Sequence, residues 1–380
     1  MRHLTRLALT LLLGGCVQAP IAPAPQGIFR DELFDAPSVS VDARQIFALS
    51  EPMKRYLRDE LTSQRFKGAR QSLVDSVSQG QLKLEYDTIR TRNAAEAFEA
   101  KAGNCLSLVI MTAALAKAMD IEVHYNSALF GDQWSRDGNI YFLSGHVNVT
   151  LGKRPADPAV LYDQAASTTI DFLPGADIRG LRSVTIGEDT IVAMFMNNRA
   201  AEALVRGQLD DAYWLAREGI RQNPEFLPAY NTLGVIYLRR GDPKSAETVF
   251  RWVLQSDPRN TRALANLAVT FERLGRTADA AAADRELASL EGEAPFHLFH
   301  AGVAAMEAGD FKAARRLFAK EVRRFPEYHE FHFWLGLADL KLGNIDDARS
   351  EFSQALEAST TRRDHDLYAS KLARLSNLHR

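Results

Sequence analysis

The stretch Tyr230-Asn231-Thr232-Leu233-Gly234-Val235-Ile236-Tyr237, followed by Ala246, Phe250 and Pro258, decides the architecture of the second half of this chain. Its features recur in register. Gly207, Gly241, Gly275, Gly309 and Gly343 are 34 residues apart, and Ala212, Ala246, Ala280, Ala314 and Ala348 keep the same step. Pro224, Pro258 and Pro326 fall in the same frame, with Gly292 and Thr360 at the two remaining positions. A glycine opens the turn between two antiparallel helices, a small Ala lets them approach closely, and a Pro without an amide donor stops the second helix.

The pattern Tyr230-x2-Leu233-Gly234-x2-Tyr237…Ala246-x3-Phe250…Pro258 resembles the tetratricopeptide repeat, with Tyr in place of the usual Trp. Five copies are expected over about 193–362. The first is degenerate at Met196, Arg199, Ala200 and Ala203, and the third has Asp284 where the aromatic is expected. A helix over 363–380, with Leu367, Leu372, Leu375 and Leu378, is read as the cap of the last repeat. The resemblance implies a protein or peptide partner held in a concave groove, which carried over gives Phe296, Phe299, Phe333, Leu337 and Leu340 as its apolar late section. Ordinary packing between helices competes with that role for Phe299 and Leu340. His297-x2-His300 and His329-x2-His332 put two rings on one helical face. No carboxylate or thiol set accompanies them, so no metal site is assigned.

Composition sets the remaining bounds. The chain has 380 residues, 46% hydrophobic and 25% charged, enough for two or three domains of ordinary globular character. With 46 Lys and Arg against 48 Asp and Glu, it lacks the basic excess of a nucleic-acid binder, and no nucleic acid is expected. There are two cysteines, Cys16 and Cys105, which excludes a disulfide scaffold or a cysteine-rich zinc module.

Arg2 and Arg6 precede a short apolar run, Leu7 to Leu13, too brief to span a bilayer, which needs about 20 residues. The run ends in Leu13-Gly14-Gly15-Cys16, which resembles a bacterial lipobox, so 1–15 is read as a lipoprotein signal peptide and Cys16 as the lipidated residue. The Pro/Ala-rich stretch behind it suggests a tether over 16–40. Val17 is not the Asp that retains such lipoproteins at the inner membrane. The resemblance therefore implies a lipid anchor in the cell envelope, at the outer membrane and facing the periplasm. Cys105 is then the lone thiol of the mature chain.

Residues 41–190 suffice for one small domain, read as helices near 42–50, 52–62, 67–79 and 93–100 and a short strand at 82–86. A buried helix from Cys105 to Met119 follows, then strands at 121–126, 141–143, 146–151 and 168–173, an α+β order. Cys105 opens the apolar helix, where the helix dipole and a nearby imidazolium both favour thiolate. A nucleophilic cysteine needs a base and a group that orients the base. His146 shares one strand face with Asn148 and Thr150, while His124, mid-strand, is read as structural. Asp171 is the third member and Asp163 its competitor. A small buried hydrophobe capping a core helix is the competing reading of Cys105.

Gly103-Asn104-Cys105-Leu106-Ser107-Leu108, Gly145-His146-Val147-Asn148-Val149 and Ile170-Asp171-Phe172-x-Pro174 resemble the Cys, His and Asp elements of bacterial transglutaminase-like domains. Coverage is about 80–176. Two departures stand out: Asn148 replaces a frequent aromatic, and the interval from His146 to Asp171 is lengthened by 152–166. The fold class implied is an α+β papain/transglutaminase-like domain followed by an all-α tetratricopeptide solenoid. The function implied is cofactor-free acyl transfer from an amide or peptide, with Cys105 as nucleophile, His146 as proton shuttle and Asp171 as orienter. Hydrolysis is favoured slightly over cross-linking. The backbone N–H of Cys105 can stabilise an oxyanion, with Asn104 and Tyr86 as weak candidates for a second donor. The alternative is a non-catalytic assembly lipoprotein that uses only its repeats. The apolar run Ile191 to Met196 is too hydrophobic for a free hinge, so the first domain is expected to cap the first repeat.

Overall fold

A computed structural model gives the architecture and describes residues 27–61, 68–78, 82–87, 90–137, 140–152, 167–172, 183–290, 297–326, 328–359 and 362–377. Cys16, Asp163, Pro174 and Phe296 lie outside the described residues. The N-terminal part contains α1 (Glu51–Tyr56), α2 (Ala69–Ser78), β1 (Glu85–Tyr86), α3 (Ala94–Ala100), β2 (Ala102–Gly103) and α4 (Cys105–Ala118). It ends with β3 (Val123–Asp137), β4 (Ile140–Gly152), β5 (Ser167–Ile170) and β6 (Ser183–Ile186). The last four form an antiparallel sheet in the order β5-β4-β3-β6, and β1 pairs in parallel with β2. Helix α4 is buried from Cys105 to Ala116 and packs against β4. Its all-round apolar sequence has no solvent face to offer.

Several elements differ from the sequence reading: β2 arises where no strand was expected, β3 runs on to Asp137, and 141–143 and 146–151 are parts of the single strand β4. The stretch 42–50 makes only a single 3-10 turn at Ala43–Gln45, and α1 runs on as a π-turn through Leu57–Leu61. Strand β6 was missed, because four residues with Val184 exposed carry too short an alternation to register.

The helical part is α5 (Glu188–Val205), α6 (Leu209–Gln222), α7 (Leu227–Arg240), α8 (Pro243–Ser256), α9 (Thr261–Arg273), α10 (Thr277–Leu290), α11 (His297–Glu307), α12 (Phe311–Arg324), α13 (His329–Leu342), α14 (Ile345–Glu357) and α15 (Arg362–Asn377). Consecutive helices pair as repeats, and α15 covers α14. The periodic glycine is the left-handed residue that ends the first helix of each pair. At Gly241, φ is 87°, and the Asp242 amide donates back to the Tyr237 carbonyl at 2.9 Å.

A second glycine has a different cause. A Cβ on Gly234 would lie 2.5 Å from the Phe250 ring, on Gly302 2.5 Å from Phe318, and on Gly336 2.8 Å from Phe352. In the first and third repeats the matching pairs are Ala200 with Ala216 and Ala268 with Asp284. Where the ring is missing, the methyl group returns, so the two degenerate repeats are altered at both partners of one contact.

The expected tether is corrected over 27–40. Ile28 and Phe34 are buried, and Phe34 stacks on Tyr213 with ring centroids 3.9 Å apart. The Tyr237 hydroxyl donates to the Ile28 carbonyl at 2.7 Å and accepts from the Arg30 amide at 3.1 Å. Trp214 Nε1 donates to the Asp35 carbonyl, and Ser38 donates through its amide and hydroxyl to Asp211. This strap binds α6 and α7, because its apolar residues and its backbone polar groups both find partners there. A Pro/Ala composition upstream masked that change of role.

The core is continuous between the two parts. Ile191, Val192, Phe195 and Met196 of α5 belong to the same buried cluster as Leu108, Met111 and Leu115 of α4. Thr91 is gripped from α5: Glu202 accepts its amide at 2.6 Å, and Arg199 donates to its carbonyl at 3.0 Å. The N-terminal domain covers the open face of the first repeat.

Candidate functional site

Cys105 is the first residue of α4, a free and buried thiol. The preceding turn is fixed by Asn104, whose Oδ1 accepts the Ser107 amide at 2.9 Å as an N-cap. The parallel bridge of β1 to β2 sets Tyr86 opposite Gly103, two residues before the thiol. The Tyr86 hydroxyl interacts with both the backbone N–H and the side chain of Cys105. Burial, then its electrostatic interaction with Cys105, push this phenol well above its usual range, so it stays neutral. Asn104, by contrast, spends its amide on the cap and on Thr91, leaving Tyr86 the better placed of the two oxyanion candidates.

His146 and Asp171 meet through strand register. Val149 of β4 pairs with Ile170 of β5, so Asp171 follows directly opposite Asn148, on the face that Asn148 shares with His146. His146 Nε2 and Asp171 Oδ2 are 2.6 Å apart, with the two side chains 1% and 7% exposed. That bond leaves the other ring nitrogen, Nδ1, for the thiol, and His146 interacts with Cys105. Burial pulls the imidazole down, but the bond to Asp171 and the interaction with Cys105 outweigh it, and the ring is pushed up to about 9. The arrangement favours an imidazolium beside sulfur, held by a carboxylate from behind.

Asn148, noted in the sequence reading only as a departure, belongs to the same cluster. Its Nδ2 donates to Asp171 Oδ2 at 3.3 Å, and its Oδ1 accepts from Asn126 Nδ2 at 3.0 Å. Its position two residues after His146 on the same face was the available signal. His124 lies away from this cluster, 3.0 Å from Glu122.

The groove assignment changes in part. Phe299 is fully buried against Phe318 and Phe331, because its ring fills the layer between adjacent repeats. It is core and offers no partner surface. Phe333, Leu337 and Leu340 are half-buried beside Phe352 and Leu375. His332 is locked between Glu351 and the Pro326 carbonyl, at 2.6 and 2.7 Å, and His329 bonds the Tyr368 hydroxyl at 2.7 Å. These two rings serve different helices of the C-terminal packing.

Residues 231–296 and 300–362 match the tetratricopeptide repeat family model. Among solved structures the chain is similar to MamA protein, at 20% identity over 46% of this chain and 93% of that one, with a TM-score of 0.26. It is similar to PilF of Pseudomonas aeruginosa, at 19% identity over 50% of this chain and 87% of that one, with a TM-score of 0.30. A thermophilic repeat protein of Thermus thermophilus gives 18% identity over 48% and 99%, with a TM-score of 0.31. A comparison with curated proteins gives no match. With the family match, the glycine period and the paired helices in agreement, residues 231–362 are tetratricopeptide repeats within an all-helical solenoid.

Proposed function

We propose that this chain is an interaction protein whose repeats dock a protein or peptide partner. The observation that carries this is the repeat array itself, a fold that works by presenting a continuous surface to other chains. Phe333, Leu337 and Leu340 are the apolar part of the docking surface, and lipidation at Cys16 holds the molecule at the periplasmic face of the outer membrane. A photo-crosslinking side chain at Phe333, in cells, tests docking. A discrete adduct that persists in Cys105→Ala is expected, and the lack of any adduct from Phe333, Leu337 or Leu340 overturns it. An unchanged membrane fraction in Cys16→Ser defeats the anchor.

A second reading is favoured by one specific observation, the buried His146–Asp171 pair beside Cys105. On this reading the N-terminal domain is transglutaminase-like and performs thiol-dependent acyl chemistry on an amide. With the thiol proton already resting on His146 Nδ1, Cys105 Sγ attacks the carbonyl carbon as a thiolate, while Asp171 holds Nε2. The oxyanion is met by the Cys105 N–H and the Tyr86 hydroxyl. The C–N bond breaks as His146 returns the proton to the leaving amine. Water, favoured over a second amine, then releases the acyl group from the thioester. Labelling by iodoacetamide at mildly acidic pH tests it: fast labelling of Cys105 that is lost in His146→Ala is expected. Equal, slow labelling of both proteins leaves the repeats as the whole function.

A further inference from the structure

The first repeat helix reaches the start of the cysteine helix through a directed chain of hydrogen bonds. Glu202 on α5 accepts the Thr91 amide at 2.6 Å, and Arg199 of the same helix donates to the Thr91 carbonyl at 3.0 Å. Thr91 is buried, at 2% exposure. With the backbone of Thr91 held in this way, its Oγ1 is placed to accept from Asn104 Nδ2 at 3.0 Å. That turns Asn104 Oδ1 toward α4, where it accepts the Ser107 amide at 2.9 Å and the Ser107 hydroxyl at 2.7 Å. Ser107 Oγ in turn accepts the Arg92 amide at 2.8 Å.

The chain starts at Glu202, which holds the Thr91 backbone, and its amide links each have one direction. A carboxylate can only accept. If Thr91 Oγ1 did not hold the Asn104 NH2 group, the amide could flip and aim its N–H groups at the Ser107 amide, two donors face to face. The Asn104 cap is the residue immediately before the nucleophile, so its orientation sets where the Cys105 N–H and side chain begin.

We infer that Glu202 and Thr91 are positioning residues for Cys105, through which the first repeat sets the cap of the nucleophile helix. This rests on the thiol reading above. Neither residue touches the reacting atoms; both act through Asn104. A partner that shifts α5 shifts the cap with it, so the repeats tune the thiol as well as bringing a partner near it.

The test uses the full chain carrying Cys16→Ser, so that one thiol remains. Iodoacetamide labelling of Cys105 is followed from pH 4 to 9, with amide exchange measured at 106–108. Thr91→Ala and Glu202→Ala, which leaves the Thr91 amide without its acceptor, are each expected to slow labelling at pH 6 about fivefold, the worth of a helix N-cap. Both also speed exchange at 106–108, while Thr91→Ser keeps the wild-type profile and exchange. Wild-type behaviour in both disruptive variants overturns the inference, and so does a Thr91→Ser protein as impaired as Thr91→Ala, which would assign the effect to the methyl group. If His146→Ala leaves the labelling profile unchanged, the thiol reading fails on its own account, and exchange at 106–108 then decides the coupling.

Discussion

Replacing Asp171 by Asn isolates what the carboxylate contributes to His146. The amide oxygen can still accept from Nε2 at the 2.6 Å position, and Asn148 can still donate, so shape is kept while the charge is removed. In the intact protein the ring stands at about 9, although burial alone would carry it below 6.5. The bond to Asp171 is the largest of the effects that raise it, ahead of Cys105. Removing the charge is expected to lower the ring by about one pH unit or more, and labelling of Cys105 at pH 6 by about tenfold, one unit being about 1.4 kcal/mol. Stability follows the same titration. A ring raised on folding stabilises the native state fully below about 6.5, and the contribution fades as pH rises through about 9. The stability gap between wild type and Asp171→Asn is therefore widest at pH 6 and closes toward pH 10, with an upper bound of about 3 kcal/mol. Iodoacetamide rates and urea unfolding, both measured across pH 5 to 10, supply the two curves. Superimposable curves for the two proteins would refute the placement of Asp171 as the charge behind His146.

Tyr86→Phe removes the hydroxyl at Cys105 but keeps the ring, and acylation by a p-nitrophenyl ester should slow by about tenfold or more while labelling by iodoacetamide stays within about twofold; equal acylation rates would remove Tyr86 from the site. Gly234→Ala places a methyl 2.5 Å from the Phe250 ring and should lower stability by about 1–3 kcal/mol, read as a fall in melting temperature. Gly234→Ala with Phe250→Ala should cost less than the two changes summed, as the Ala200/Ala216 pair implies, and strict additivity would show that the contact is relaxed. Phe34→Ala should cost about 3 kcal/mol and open 27–40 to proteolysis, whereas an uncut, equally stable variant would mean the strap is held by its backbone bonds alone.

The repeats were legible because one backbone requirement recurs: a left-handed residue every 34 positions admits glycine with little competition, and five glycines in register cannot be missed. His146 and Asp171 were singled out by the motifs that carry the family resemblance, and the β4–β5 register is what makes them meet. Asn148 shows the limit of that reading. Its type differs from what the resemblance led one to expect, and only the β4–β5 register reveals that it faces Asp171. Phe299 failed for the opposite reason. Repeats stack aromatic rings on both sides of each helix, so an exposed ring and a buried ring look alike in sequence. The strap and Thr91 carry no periodicity. Their partners lie more than a hundred residues away, and nothing local announces them.

The strap gives the molecule a load path. A pull on residue 27 runs along the segment and is taken up by lateral bonds to Tyr237, Trp214 and Asp211 and by the Phe34–Tyr213 stack, all on the first two repeats. Tension applied at the N-terminus is delivered to the solenoid before it reaches α4, and the thiol stays mechanically quiet until the strap has peeled.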